Sequence, residues 1–338
     1  MIAMNRMLSR LFALGVIALC ALGSQAAMAA KLKVGITLHP YYSFVANIVG
    51  DRADIVPLID SDANPHGYAP QPADMVRIMS MDVLVVNGIG HDTWAFEILD
   101  AAGMRKKLRL IYANDGVSLI PVAGAPNGEK VVNPHTFIST TAAIQQVYTI
   151  ARKLGELDKP NAAYYRDNAR RYALNIRKLR AEFDAKIVGA DLSKFRCATM
   201  HSGYDYILQE LGLQVTAVIE PRHGVEPTAR QLAETIDRIK AAKVNVLFAE
   251  KYFASKLSDT IRQATGVRMY SISHISSGKY TPEKFIDKTM LDLVRTIRET
   301  TKAQVALDYQ EQLSSSNGFS TNPPAPIKGY FAHFQASF

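Results

Sequence analysis

The chain is poor in cysteine: its 338 residues contain two, Cys20 and Cys197. Cys20 lies in an N-terminal apolar run that export would remove, so the mature chain keeps one thiol and has no internal disulfide. Stability must then come from a packed core, and a hydrophobic content of 48% is sufficient to build one. Long apolar stretches are also missing. "LFALGVIALCALG" (11–23) falls short of the roughly 20 residues that a bilayer crossing needs, and no later segment qualifies. Arg6 and Arg10 precede it and Ala27-Met28-Ala29 follows, so residues 1–30 read as a secretory signal peptide cleaved after Ala29 or Ala30. Leu19 stands where a lipoprotein signal wants a small residue, which argues against a lipid anchor at Cys20. Basic runs with interleaved aromatics are absent too. The net charge of +8 falls by two with the leader and is spread along the chain, so no nucleic-acid partner is expected. There is no H-E-x-x-H, the helix-borne motif of many zinc hydrolases.

What is present is alternation. "KLKVGITL", "ADIVPLI", "VLVVNG" and "LRLIYAN" read as strands separated by helical patterns, and "RCATM", "LQVTAVIE", "VNVLFAE" and "VRMYSIS" repeat the theme. Such an order predicts parallel sheets covered by helices. Between the two series, residues 159–189 run without an internal breaker, and Pro160 stands near the start, where proline is tolerated. The expected fold is α/β: two lobes of parallel-sheet α/β sandwich joined by one long rigid linker helix. The boundaries are a leader (1–30), an N-terminal lobe (31–158), the linker helix (159–189), a C-terminal lobe (190–302) and an irregular tail (303–338).

The tripeptide Asn-Pro-His occurs twice, at 64–66 and 133–135, each time with an aromatic two positions on, Tyr68 or Phe137. Proline fixes its own φ and restricts its predecessor, so each histidine is held with little freedom, as a ligand should be. His201 and His274 stand at strand ends of the second series. Four imidazoles, or three with a carboxylate, suit a borderline divalent transition metal, whereas calcium and magnesium prefer oxygen. Glu250 is the carboxylate candidate, as an alternative ligand or as an acceptor orienting an imidazole. His39, His91, His223 and His333 have no patterned partner and read as ordinary polar residues, His39 least securely because it follows the first strand. Cys197 reads as a core residue, Tyr68, Phe137 and Tyr204 as walls of the site, and Glu226-Pro227 as a helix start.

The chain resembles the zinc/manganese/iron family of periplasmic substrate-binding proteins of ABC importers. "NPHGYAPQPADMVRIMSMDVLVVNGIG" looks like the family's first histidine segment. "NPHTF" looks like its second, usually D-P-H-x-W, and "MHSGYDYILQELGLQVTAVIE" like its third-ligand unit. "GVEPTARQLAETIDRIKAAKVNVLFAE" is similar to another family stretch, and the likeness covers roughly 31–300. It departs at the fourth position, where many members carry aspartate and "SISHISSG" places His274. A histidine there favours Zn2+, with Fe2+ or Mn2+ next. The histidine-rich acidic loop of many zinc-specific members is missing, which keeps iron and manganese in play.

The resemblance implies a monomeric periplasmic protein that is not an enzyme and delivers its metal to an ABC permease in the inner membrane, and the long linker helix should limit the lobes to modest movement. A metallochaperone, an accessory that takes iron from a siderophore, a surface adhesin and a secreted zinc hydrolase are the alternatives.

Overall fold

The structure is a computed structural model and describes residues 30–121, 132–220, 227–250, 256–274, 278–282 and 288–301. Residues 1–29, His223, Glu226, His333 and the tail beyond 303 lie outside these. The described residues form two compact units. One runs to Lys178 and includes 278–282; the other runs from Leu179 to His274 and includes 288–301.

The first unit carries β1 (Leu32–Ile36), β2 (Ala53–Pro57), β3 (Val83–Val86) and β4 (Arg109–Tyr112) in one sheet ordered β2-β1-β3-β4. All its pairings are parallel. Helices α1 (His39–Val49), α2 (Pro72–Met79), α3 (Thr93–Ala101) and α4 (Thr140–Leu157) connect and follow the strands. β3 is an unbroken apolar run, buried at every position, which is the pattern of a parallel strand covered on both faces. Gly35 in β1 leaves room for Met81 and Leu84; a Cβ there would stand 2.9 Å from Leu84 Cδ1. α4 begins where Ser139 Oγ accepts the Ala142 N–H at 2.9 Å, and it buries Ala143, Val147, Ile150 and Leu154 along one stripe.

The second unit repeats the design. β5 (Cys197–Thr199), β6 (Val215–Val218), β7 (Val246–Glu250) and β8 (Arg268–Ile272) form a parallel sheet ordered β6-β5-β7-β8. Ala198, Ile219, Leu247, Ile261 and Val267 share its core. Its helices are α6 (Asp205–Glu210), α7 (Ala229–Ala241), α8 (Lys256–Thr265) and α9 (288–301).

The long helix α5 covers Ala162–Ile187 and is preceded by a 3-10 turn over Lys159–Asn161 that contains Pro160. By contacts it is shared, since the boundary between units falls after Lys178. Its first half belongs to the first unit: Asn168 Nδ2 donates to Ile48 O at 2.9 Å, and Tyr172 lies 2.9 Å from Ser43 Oγ, hydroxyl to hydroxyl. The eight strands and their order along the chain match the sequence pattern, each a little shorter than its apolar run.

Candidate metal centre

The repeated tripeptide has a local cause. In each copy the asparagine oxygen accepts the backbone N–H of the histidine two residues on, at 3.0 Å for both Asn64–His66 and Asn133–His135. This Asx turn holds the loop in one shape. In each copy the prolyl carbonyl is also tied down. Trp94 Nε1 donates to Pro65 O at 3.0 Å, and Asn87 Nδ2 donates to Pro134 O at 3.0 Å. Asn133 does more than its counterpart shows: its Oδ1 lies 2.8 Å from His135 Nδ1. An amide oxygen only accepts, so His135 carries its proton on Nδ1 and keeps the Nε2 lone pair for a cation. The His66 and His135 ring centres are 5.3 Å apart, and each ring offers a nitrogen within 4.8 Å of the other's.

Between these loops lies the turn that follows β3. Asp92 closes it, accepting from Thr37 Oγ1 at 2.7 Å and from the backbone N–H groups of Asn87 and Gly88 at 2.6 and 2.9 Å. Burial raises the Asp92 carboxyl above the usual carboxylate range, and these donors partly offset it. Gly88 and Gly90 take φ values of +74° and +118°, which glycine adopts without strain. The turn presents His91, buried, with its ring centre 4.3 Å from His66 and 5.0 Å from His135. Sequence reasoning gave His91 no role. The available signal was its place just past the carboxyl end of a parallel strand, where ligands of such sheets bind.

In the second unit, His201 follows β5 and His274 follows β8, both buried. Glu250, the last residue of β7, places Oε1 2.7 Å from His201 Nδ1. The carboxylate thus faces the Nδ1 edge of the ring, and Nε2 lies on the side away from it. His201 Nε2 stands 3.3 Å from His274 Nε2. Two nitrogens bound to one tetrahedral ion at 2.0–2.1 Å are about 3.3 Å apart, so this pair is spaced as two corners of such a shell. Gly203 makes the approach possible. A Cβ at that position would lie against His201 Nε2, 2.7 Å from its Cε1 and 2.8 Å from His274 Cδ2.

Of the three aromatics expected as walls, Phe137 and Tyr204 stand beside histidines of their own unit. Phe137 is fully buried with its ring centre 5.5 Å from His91 and 6.1 Å from His135. Tyr204 is fully buried 5.8 Å from both His201 and His274. Tyr68 packs on Trp94 and donates to Asp74 Oδ2 at 2.7 Å. Burial pushes the Cys197 thiol up to about 12, consistent with a core residue and unfit for a thiolate ligand. His39 opens α1, where its Nε2 is 2.8 Å from both Ser61 O and Gly278 O, and its ring stacks on Tyr280 at 4.3 Å. It is a structural clamp of the first unit. Among the described residues, no helix is long and apolar enough to cross a membrane.

Comparison with known proteins agrees with this architecture. A family model described as "Zinc-uptake complex component A periplasmic" matches residues 34–300, which include all the histidines described above and both sheets except the first two residues of β1. The high-affinity zinc uptake system protein ZnuA of Bacillus subtilis is 26% identical over 255 residues, covering 73% of this chain and 79% of that protein. The iron ABC transporter substrate-binding lipoprotein MtsA of Streptococcus pyogenes serotype M1 is 26% identical over 253 residues, covering 74% and 81%. Among solved structures, the SBP FpvC of Pseudomonas aeruginosa in complex with Mn2+ is 48% identical, with a TM-score of 0.76 over 80% of this chain and 99% of its own. The chain belongs to the ZnuA family of periplasmic zinc-uptake components.

Proposed function

We propose that this protein captures one divalent transition metal ion outside the inner membrane with His66, His135, His201 and His274, and delivers it to the permease of an ABC importer. The observation that carries the reading is the His201–His274 pair: two Nε2 atoms at 3.3 Å, one of them aimed by Glu250. His135, aimed by Asn133, is the matching feature of the first unit. The metal is cargo, not a resident cofactor, and no catalytic step is assigned. Four neutral imidazoles favour Zn2+, with Fe2+ and Mn2+ next. The named relatives support that range: one is a zinc uptake protein, one an iron transporter component, and FpvC was solved with Mn2+ and with Ni2+. Glu250 serves as the acceptor that orients His201. The protein acts as a periplasmic monomer; its relative MtsA is named a lipoprotein.

Competition titration of purified protein against a chromophoric chelator tests the site. The wild type is expected to bind one equivalent of Zn2+, and His66→Ala to bind at least about 100-fold more weakly, beyond the loss that even an outer partner of a metal ligand causes. An unchanged affinity would remove the reading. Metal-starved cells lacking the gene should lose uptake of the same metal.

A further inference from the structure

We propose that His91 is itself a metal ligand, and that His66, His91 and His135 form a three-imidazole site for a divalent transition metal ion inside the first unit. The inference rests on the metal-binding reading of His66 and His135 and adds a ligand to it. The ring centres of the three residues form a triangle with sides of 4.3, 5.0 and 5.3 Å. An imidazole nitrogen lies about 1.1 Å from its ring centre, so rings sharing one tetrahedral ion at 2.0–2.1 Å have centres about 5 Å apart. The observed triangle is that size.

The surrounding framework fits a ligand-bearing turn. Segment 87–94 touches both Asn-Pro-His loops: Asn87 holds Pro134 O and Trp94 holds Pro65 O. His91 stands between those two anchors. Its own backbone is fixed by Asp92, which gathers Thr37, Asn87 and Gly88, and by the positive φ of Gly88 and Gly90. A ligand position set on a rigid turn gains affinity through the reorganisation it avoids. Phe137 packs against His91 in a T-shaped contact at 5.5 Å. The result is three nitrogen ligands with a fourth position open, a set that zinc, nickel and ferrous iron accept.

The test uses the full-length protein with His201→Ala and His274→Ala, which removes the ligands of the second unit. Zn2+ alone is the probe, read by chelator competition and by X-ray absorption, which counts imidazoles around the ion. The double variant is expected to retain one Zn2+, bound more weakly than in the wild type, with three imidazoles. Adding His91→Phe, which keeps a ring in the same packing without a lone pair, should lower the remaining affinity at least ten-fold and reduce the count to two. The inference is overturned if the double variant holds no Zn2+, or if His91→Phe leaves its affinity and imidazole count unchanged. His91→Ala controls for packing: a loss with alanine but not with phenylalanine also overturns it. None of these outcomes touches the wider reading, which stands or falls on the wild type and His66→Ala.

Discussion

Asn64 and Asn133 head the same tripeptide, and their oxygens accept the same backbone bond, yet Asn133 also meets the ring of its histidine. Removing Asn133 therefore frees a loop and also the tautomer of His135, a proposed ligand. Asn133→Ala should weaken Zn2+ binding by about 10–100-fold, the usual effect of losing a group that orients a metal-bound imidazole. Asn64→Ala should cost distinctly less, because Asn64 holds the His66 backbone N–H rather than its ring. Parallel chelator titrations of the two variants check the order, and equal losses would deny the ring bond its role. Glu250 permits a finer cut. Glu250→Gln keeps an oxygen that can accept from His201 Nδ1, whereas Glu250→Leu keeps neither acceptor nor charge. Leucine should therefore lose more affinity than glutamine, and leucine binding as tightly as the wild type would leave Glu250 without a function at the site.

Among the elements, strands and helices were legible because their signals are local. "VLVV" reads as a covered strand from four adjacent residues, and the Ser139 start of α4 reads from one hydroxyl ahead of an apolar stripe. The clamp at the head of α1 was not legible, since it joins residues 239 positions apart. His39 reaches Gly278 O, Tyr280 O–H donates to Ile59 O at 2.8 Å, and Asn47 Nδ2 donates to Pro282 O at 2.6 Å. Periodicity carries no trace of such a return. The clamp is sensitive to acid. Nε2–H is engaged by two carbonyls, Nδ1 is buried without a hydrogen-bond partner, and burial lowers the His39 pKa below its ordinary value. The positive end of α1 opposes a second proton as well. With the folded pKa depressed for a base, the unfolded chain takes up the proton first. The contribution to stability is present above about pH 6.5 and is lost as the pH falls from there through the folded value. In metal-free protein, His39→Gln, which keeps a donor and does not titrate, should flatten the fall in melting temperature between pH 7 and 5. Equal slopes in wild type and variant would place the acid sensitivity elsewhere.

For the whole molecule, the sequence pointed to the main histidines because two share a repeated tripeptide and two end strands, both one-dimensional signals. His91 escaped because it lacks a motif; it matters through what the fold packs beside it, two loops that meet only in three dimensions. Glu250 was visible as a strand-end carboxylate, but its placement against His201 Nδ1 needed the 2.7 Å contact. A protein that binds its cargo through imidazoles must also compete with protons for that cargo. Imidazole ligates only when neutral, and its ordinary pKa is about 6.5, so acid both empties the site and removes the stability that the metal adds. At a Zn2+ concentration about 1,000-fold above Kd, binding adds about 4 kcal/mol. The melting temperature at pH 7.5 should therefore rise clearly with Zn2+, and the rise should vanish near pH 5. Between those limits the affinity should fall more steeply than one proton alone explains, and His274→Ala should reduce that steepness by about one proton. A Zn2+ affinity that stays level from pH 8 to pH 5 would mean that the ion is held by something other than these histidines.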